Sequence, residues 1–185
     1  IEEHAAEDVF KRIEIRIHHE QQHQELLLMD IKYILGINPT FPTYTQGKLE
    51  PVDFDATRKK WIEIPQGLYR VGTDCSSKFS YDNERPAHQF WLDDFSICDQ
   101  LVTNKEFLEF IKADGYQSFA YWLDDGWAWL QENSICQPLY WYQEQDSWFE
   151  FTLNGYQKLE LDFPVMHISF YEAAAFAKWK GFRLP

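Results

Sequence analysis

Cysteine is scarce in this chain. Only Cys75, Cys98 and Cys136 occur, widely spaced and with no CxxC pair. That excludes a zinc knuckle and a disulfide framework. Positive charge is also short. There are 17 Lys and Arg against 30 Asp and Glu, a formal charge of −13, and the longest basic run is Arg58-Lys59-Lys60. A protein whose main partner is nucleic acid needs clustered cations to meet phosphates, so that class is excluded. No apolar run has membrane length and no cleavable signal is present. No membrane partner is expected, and the cytoplasm is the expected location. Internal repeats and low-complexity tracts are missing too. The chain begins at Ile1 without an initiator Met and stops at "GFRLP". These features suggest an internal piece of a longer protein.

What is present is apolar and aromatic. Apolar residues make up 45% and aromatics 18% of 185 residues, enough for a packed core in one large or two small domains. Val9, Ile13 and Ile17 step by four with Phe10 beside them, and Leu27, Ile31 and Ile34 continue the stripe. This predicts a helix over 2–35, stopped by Gly36 and Asn38-Pro39. One amphipathic helix cannot bury its own stripe, so partner helices are expected from outside this sequence. Residues 39–60, with Pro39, Pro42 and Pro51, read as a linker or wrapping arm.

From Trp61 the texture changes. "WIEIPQGLYRVG" predicts a short strand pair and "HQFWLDDFSI" further strand. "TNKEFLEFIKADG" carries Thr103 and Glu106 at capping-box spacing, with Gly115 as a stop, and "SFYEAAAFAKWKG" repeats the device with Ser169 and Glu172. Residues 116–164, rich in Trp, read as loops whose aromatics pack a core. "DNERPAH" reads as a buried-edge turn with salt bridges. The sum is an irregular α+β domain.

The chemistry concentrates in "HHEQQHQELLLMD", residues 18–30. His19 and His23 are four apart, so on a helix their Cβ atoms lie about 6 Å apart on one face. Two imidazoles so placed can share a metal ion, or can be an accident of a polar face. The string also matches HExxH, in which Glu20 would be the general base of a zinc peptidase. Metzincins continue with HxxGxxH, whereas "QELLLMD" follows here. Two histidines need a third ligand, expected N-terminal to Ile1. His18 points about 100° away from His19 and reads as a neighbour rather than a ligand. His4 reads as a surface residue, and His88 and His167 as hydrogen-bonded structural histidines.

"HHEQQHQELLLMDIKY" followed by "NP" resembles the last metal-binding helix of the hercynine oxygenases, the sulfoxide synthases of ergothioneine biosynthesis. "IPQGLYRVG", "YDNERPAHQFWL", "LVTNKEFLEFI", "DGWAWL", "PLYW" and "PVMHISFYEAAAFAKWKGFRLP" resemble the formylglycine-generating-enzyme, or sulfatase-modifying-factor, domain. The resemblance runs over nearly the whole chain. It implies the last helix of a DinB-like four-helix bundle at 1–38, a linker at 39–60, and the N-terminal part of an irregular C-type-lectin-like domain at 61–185, truncated at both ends. It implies an Fe(II) oxidoreductase that joins hercynine (N-trimethylhistidine) to cysteine or γ-glutamylcysteine using O₂. His19 and His23 would be iron ligands and Gln22 would hold hercynine. The catalytic tyrosine and the first histidine ligand of that family would lie outside this sequence, so no catalytic residue is assigned. The related ovothiol enzymes, which act on histidine, remain open. The competing readings are a zinc peptidase and a non-catalytic lectin-like binding module.

Overall fold

The computed structural model describes residues 2–47, 59–74 and 79–185, with side chains from residue 6 onward. Cys75 and most of the expected linker lie outside the described residues, as does the side chain of His4. The chain falls into two compact units, Ile1–Tyr33 with Glu63–Ser96, and Ile34–Ile62 with Ile97–Pro185.

The first unit contains most of a long helix, α1 (Glu2–Gly36). Its stop is the expected one. The Asn38 carboxamide accepts from the Thr40 amide at 3.0 Å and Pro39 lies within that turn, so the helical ladder cannot continue. The predicted stripe is present but uncovered: Val9, Phe10, Ile13, Ile17, Leu27 and Ile34 are all about half exposed or more. Two strands, β1 (Trp61–Ile64) and β2 (Gly67–Val71), follow as the alternation predicted. They do not pair with each other. β2 pairs antiparallel with β3 (His88–Leu92), in register from Gly67↔Leu92 to Val71↔His88. β1 pairs instead with β4 (Phe95–Cys98). Pro65 explains this: it follows β1 directly, has no N–H for a hairpin ladder, and fixes φ. "DNERPAH" also differs from expectation. It forms an exposed 3-10 turn at Asp82–Glu84, not a buried edge. Gly72, at φ +84, is required there. A Cβ would lie 2.9 Å from the Pro86 carbonyl and 3.0 Å from that of Glu84.

The second unit holds the core. α2 (Asn104–Lys112) begins at a complete capping box: the Thr103 hydroxyl accepts from the Glu106 amide, and the Glu106 carboxylate accepts from the Thr103 amide at 2.8 Å. α4 (Phe170–Trp179) begins the same way with Ser169 and Glu172. Ala175 of α4 is fully buried in the same core cluster as Phe107 and Phe110 of α2. Phe107 then stacks on Phe176 with centroids 5.4 Å apart, and Phe110 meets Trp179 at 5.6 Å. Trp122, Trp141, Leu130 and Leu159 complete this buried cluster. Burying such rings is the dominant stabilising contribution.

The stretch expected to be loops is more regular than predicted. It contains α3 (Asp124–Asn133) and an antiparallel meander of β5 (Trp141–Glu144), β6 (Ser147–Thr152) and β7 (Gly155–Lys158). α3 was hidden because its N-cap is Leu123, which offers no side-chain cap. The meander was hidden because β6 is buried or half-buried at every position, which erases the two-residue alternation. The Asn154-Gly155 dipeptide was its readable signal, with Gly155 at φ +100.

Residues 37–47 pack on this meander. Phe41 stacks on Tyr156 at 4.9 Å, and the amides of Tyr44 and Thr45 donate to the Leu153 carbonyl at 2.9 and 3.1 Å. Of the two expectations for this stretch, the described part is a wrapping arm.

One buried and one half-buried carboxylate sharpen the energetics. Glu172 is 2% exposed, and it accepts from both the Ser169 amide and the Tyr116 hydroxyl. Burial pushes the Tyr116 phenol well up, and the facing carboxylate adds to this, so Tyr116 stays a donor. Tyr116→Phe leaves that carboxylate short of a partner and should destabilise by about 1–3 kcal/mol in a denaturant titration. At Glu106, burial works to raise the carboxyl pKa. Hydrogen bonds from Lys59 and from Thr103, with the Lys59 charge, outweigh it and hold the group below its ordinary value. A lowered folded pKa adds stability above the unfolded carboxyl range, and that stability is lost as pH falls through the folded value. The urea midpoints of the wild type and Glu106→Gln should therefore differ at pH 7 and converge on acidification. Thr103→Ala removes the other half of the box and should cost about 1 kcal/mol, read as a lower thermal midpoint.

Candidate functional site

The site is built on one face of α1. Straight-chain and polar residues from His19 to Leu28 keep this segment helical, so the four-residue step becomes physical proximity. The rings of His19 and His23 sit edge to face, with centroids 4.5 Å apart. Both side chains are exposed. Gln22 is exposed on the same helix, about 60° round from His19. Glu20 lies about 100° from His19 on the other side.

The other histidines with described side chains are His18, His88 and His167. His18 is half-buried and stacks on Phe79, with centroids 3.9 Å apart and ring planes 17° apart. It is a packing residue in this structure. His88 Nδ1 lies 3.1 Å from the Pro86 carbonyl oxygen. His167 meets the Tyr140 ring edge-on at 4.9 Å, and its carbonyl accepts from the Leu139 amide at 3.2 Å. Trp122 and Trp141 are 5% and 3% exposed in the core, whereas Trp61 and Trp91 are about half exposed.

Two imidazoles on one exposed helix face fit part of a metal site. They are neutral nitrogen donors of the kind that suits iron, zinc or copper. Among the described residues no group of three His, Cys, Asp or Glu side chains comes together. The pair could offer two donors, and a complete metal site would need further donors from elsewhere. Cys98 and Cys136 are free thiols. No helix among the described residues is long and apolar enough to cross a membrane.

Sequence reasoning missed Phe79 and Tyr81. Their spacing of two puts both rings on one side of an extended segment, and that was the available signal.

A histidine-bearing helix followed by an α+β domain with an aromatic core defines the class of protein. The sulfatase-modifying factor enzyme 1-like domain matches residues 46–185, and the chain belongs to that family. It is 34% identical over 176 residues to the hercynine oxygenase of Mycolicibacterium smegmatis, an alignment taking in 94% of this chain and 39% of that protein. It is 31% identical to the hercynine oxygenase of Mycobacterium tuberculosis, over 91% of this chain and 39% of that protein. The inactive C-alpha-formylglycine-generating enzyme 2 of Mus musculus is 32% identical over 67% of this chain and 43% of its own length. The chain thus spans about two-fifths of the curated relatives it matches. An alignment covering 94% of the chain reaches well beyond the 46–185 domain and must include most of α1.

Proposed function

We propose that the protein carrying these residues is a hercynine-oxygenase-type sulfoxide synthase. One observation carries the reading. The hercynine oxygenases align with the histidine helix as well as the domain, whereas the formylglycine-type relative matches a share close to that of the domain alone. The reaction would join hercynine to cysteine or γ-glutamylcysteine, with one oxygen atom of O₂ entering the sulfoxide and the other leaving as water. α1 would be one helix of a DinB-like bundle, which its uncovered stripe of Val9, Phe10, Ile13 and Ile17 supports. Residues 39–60 would connect it to the N-terminal part of a C-type-lectin-like domain at 61–185. A cytoplasmic setting agrees with the free thiols of Cys98 and Cys136.

His19 and His23 would hold Fe(II), with the third histidine supplied from outside residues 1–185. The iron, when bound, would supply O₂ activation and an acidified thiol. The helix places the two rings with centroids 4.5 Å apart, near enough for both to reach one ion. Gln22, one residue before the second ring, carries both a donor and an acceptor and would orient hercynine. Its place beside the pair, and not on it, suits a substrate contact.

Three substitutions test this in the full-length protein, with Fe(II), O₂, hercynine and each thiol supplied. His23→Ala should abolish iron retention and sulfoxide formation while leaving the thermal midpoint nearly unchanged. A mutant still loaded and active would remove the metal assignment. Gln22→Leu should raise the hercynine KM by tenfold or more, since a site built to hydrogen-bond a ligand loses about 1–3 kcal/mol when one partner goes. Iron affinity should hold, and an unchanged KM would take Gln22 out of the site. Glu20→Gln should leave sulfoxide formation largely intact. Complete loss on that change, with peptide cleavage by the parent, would favour the zinc-peptidase reading instead.

A further inference from the structure

From residue 6 to residue 30, every side chain of α1 is exposed except that of His18. The exception stands directly beside the histidine pair. Its ring lies flat on Phe79 and takes the edge of Tyr81 at 6.4 Å, and Phe79 and Tyr81 meet edge to face at 4.8 Å. These three rings form one cluster within the first unit.

Local hydrogen bonds tie the partner segment. The Tyr81 amide donates to the Glu84 carboxylate at 2.7 Å, and the Glu84 amide donates to the Tyr81 carbonyl at 3.2 Å. Arg85 Nε donates to the Ser80 hydroxyl. The Thr73 amide ties the Glu84 carbonyl at 2.9 Å, just past the Gly72 turn that admits this close approach. The His18 ring thus stacks beside a hydrogen-bonded turn.

A helix is a rigid cylinder in which successive side chains are about 100° apart. Pinning one ring therefore sets the azimuth of all the others. With His18 held on Phe79, His19 points about 100° round the axis and His23 about 140°. We propose that His18 is a positioning residue. By stacking on Phe79 and Tyr81 it fixes the rotational setting of α1 and so the direction in which His19 and His23 face. This rests on the metal role proposed above for the pair. The stack needs a flat ring at residue 18, and no hydrogen bond from it, so phenylalanine should substitute and alanine should not.

The test uses the full-length protein as wild type, His18→Ala, His18→Phe and Phe79→Ala. Hydrogen exchange of the metal-free protein reads the docking directly, and Co(II) titration followed by absorption reads the pair. His18→Ala and Phe79→Ala should speed exchange across residues 79–85 and weaken Co(II) binding about tenfold, the size seen when a supporting partner of a ligand is lost. His18→Phe should restore both, which a general loss of stability would not do. Wild-type exchange in His18→Ala would overturn the docking. Faster exchange with unchanged Co(II) affinity would overturn the positioning role. A wild-type protein that binds no Co(II) would overturn the metal reading and the positioning with it, while the exchange data still decide whether His18 docks.

Discussion

An α-helix returns to the same side every 3.6 residues, and the reading of this protein depends on that constraint. Over α1 the period does two jobs. It lines up Val9, Ile13 and Ile17 as an apolar stripe, and it brings His19 and His23 face to edge at 4.5 Å. The same rotation keeps His18 off the pair and turns it toward Phe79. Had these residues formed a strand, His19 and His23 would share a face but stand about 13 Å apart, too far to share one ion.

The second unit solves a different problem. It must bury many large rings around short helices. The solution is ring packing between α2 and α4, each helix being started by a capping box. The boxes do more than start helices. Glu106 also takes Lys59, and Glu172 also takes the buried Tyr116 hydroxyl. Each carboxylate thus joins a local backbone signal to a long-range partner. That makes these two glutamates points where secondary and tertiary structure stabilise each other.

The elements that were legible in advance had signals that do not depend on neighbours. The α1 stop at Gly36 and Asn38-Pro39, both capping boxes and the strand character of 61–64, 67–71 and 88–92 are written in local residue chemistry. The unreadable parts depended on what packs against them. α3 lacks a capping side chain at Leu123, and β6 is covered on both faces. Strand pairing was also out of reach. Whether β1 meets β2 or β4 is a choice between partners that differ in sequence distance, and Pro65 tips it only once the fold is formed.

The sequence by itself determined the histidine pair, its helix and the family resemblance, because each rests on spacing along one chain. The likeness to the hercynine oxygenases over 94% of the chain follows from that same order of residues. Tertiary structure decided the rest. It showed that residues 37–47 lie on the meander, that Tyr116 and Glu172 meet although 56 positions apart, and that His18 rests on Phe79. A wrapping arm was one of two readings for residues 39–60, but the partner in each of these contacts was not legible, because a long-range contact depends on how the chain's other segments fill the space between, and no local spacing encodes that.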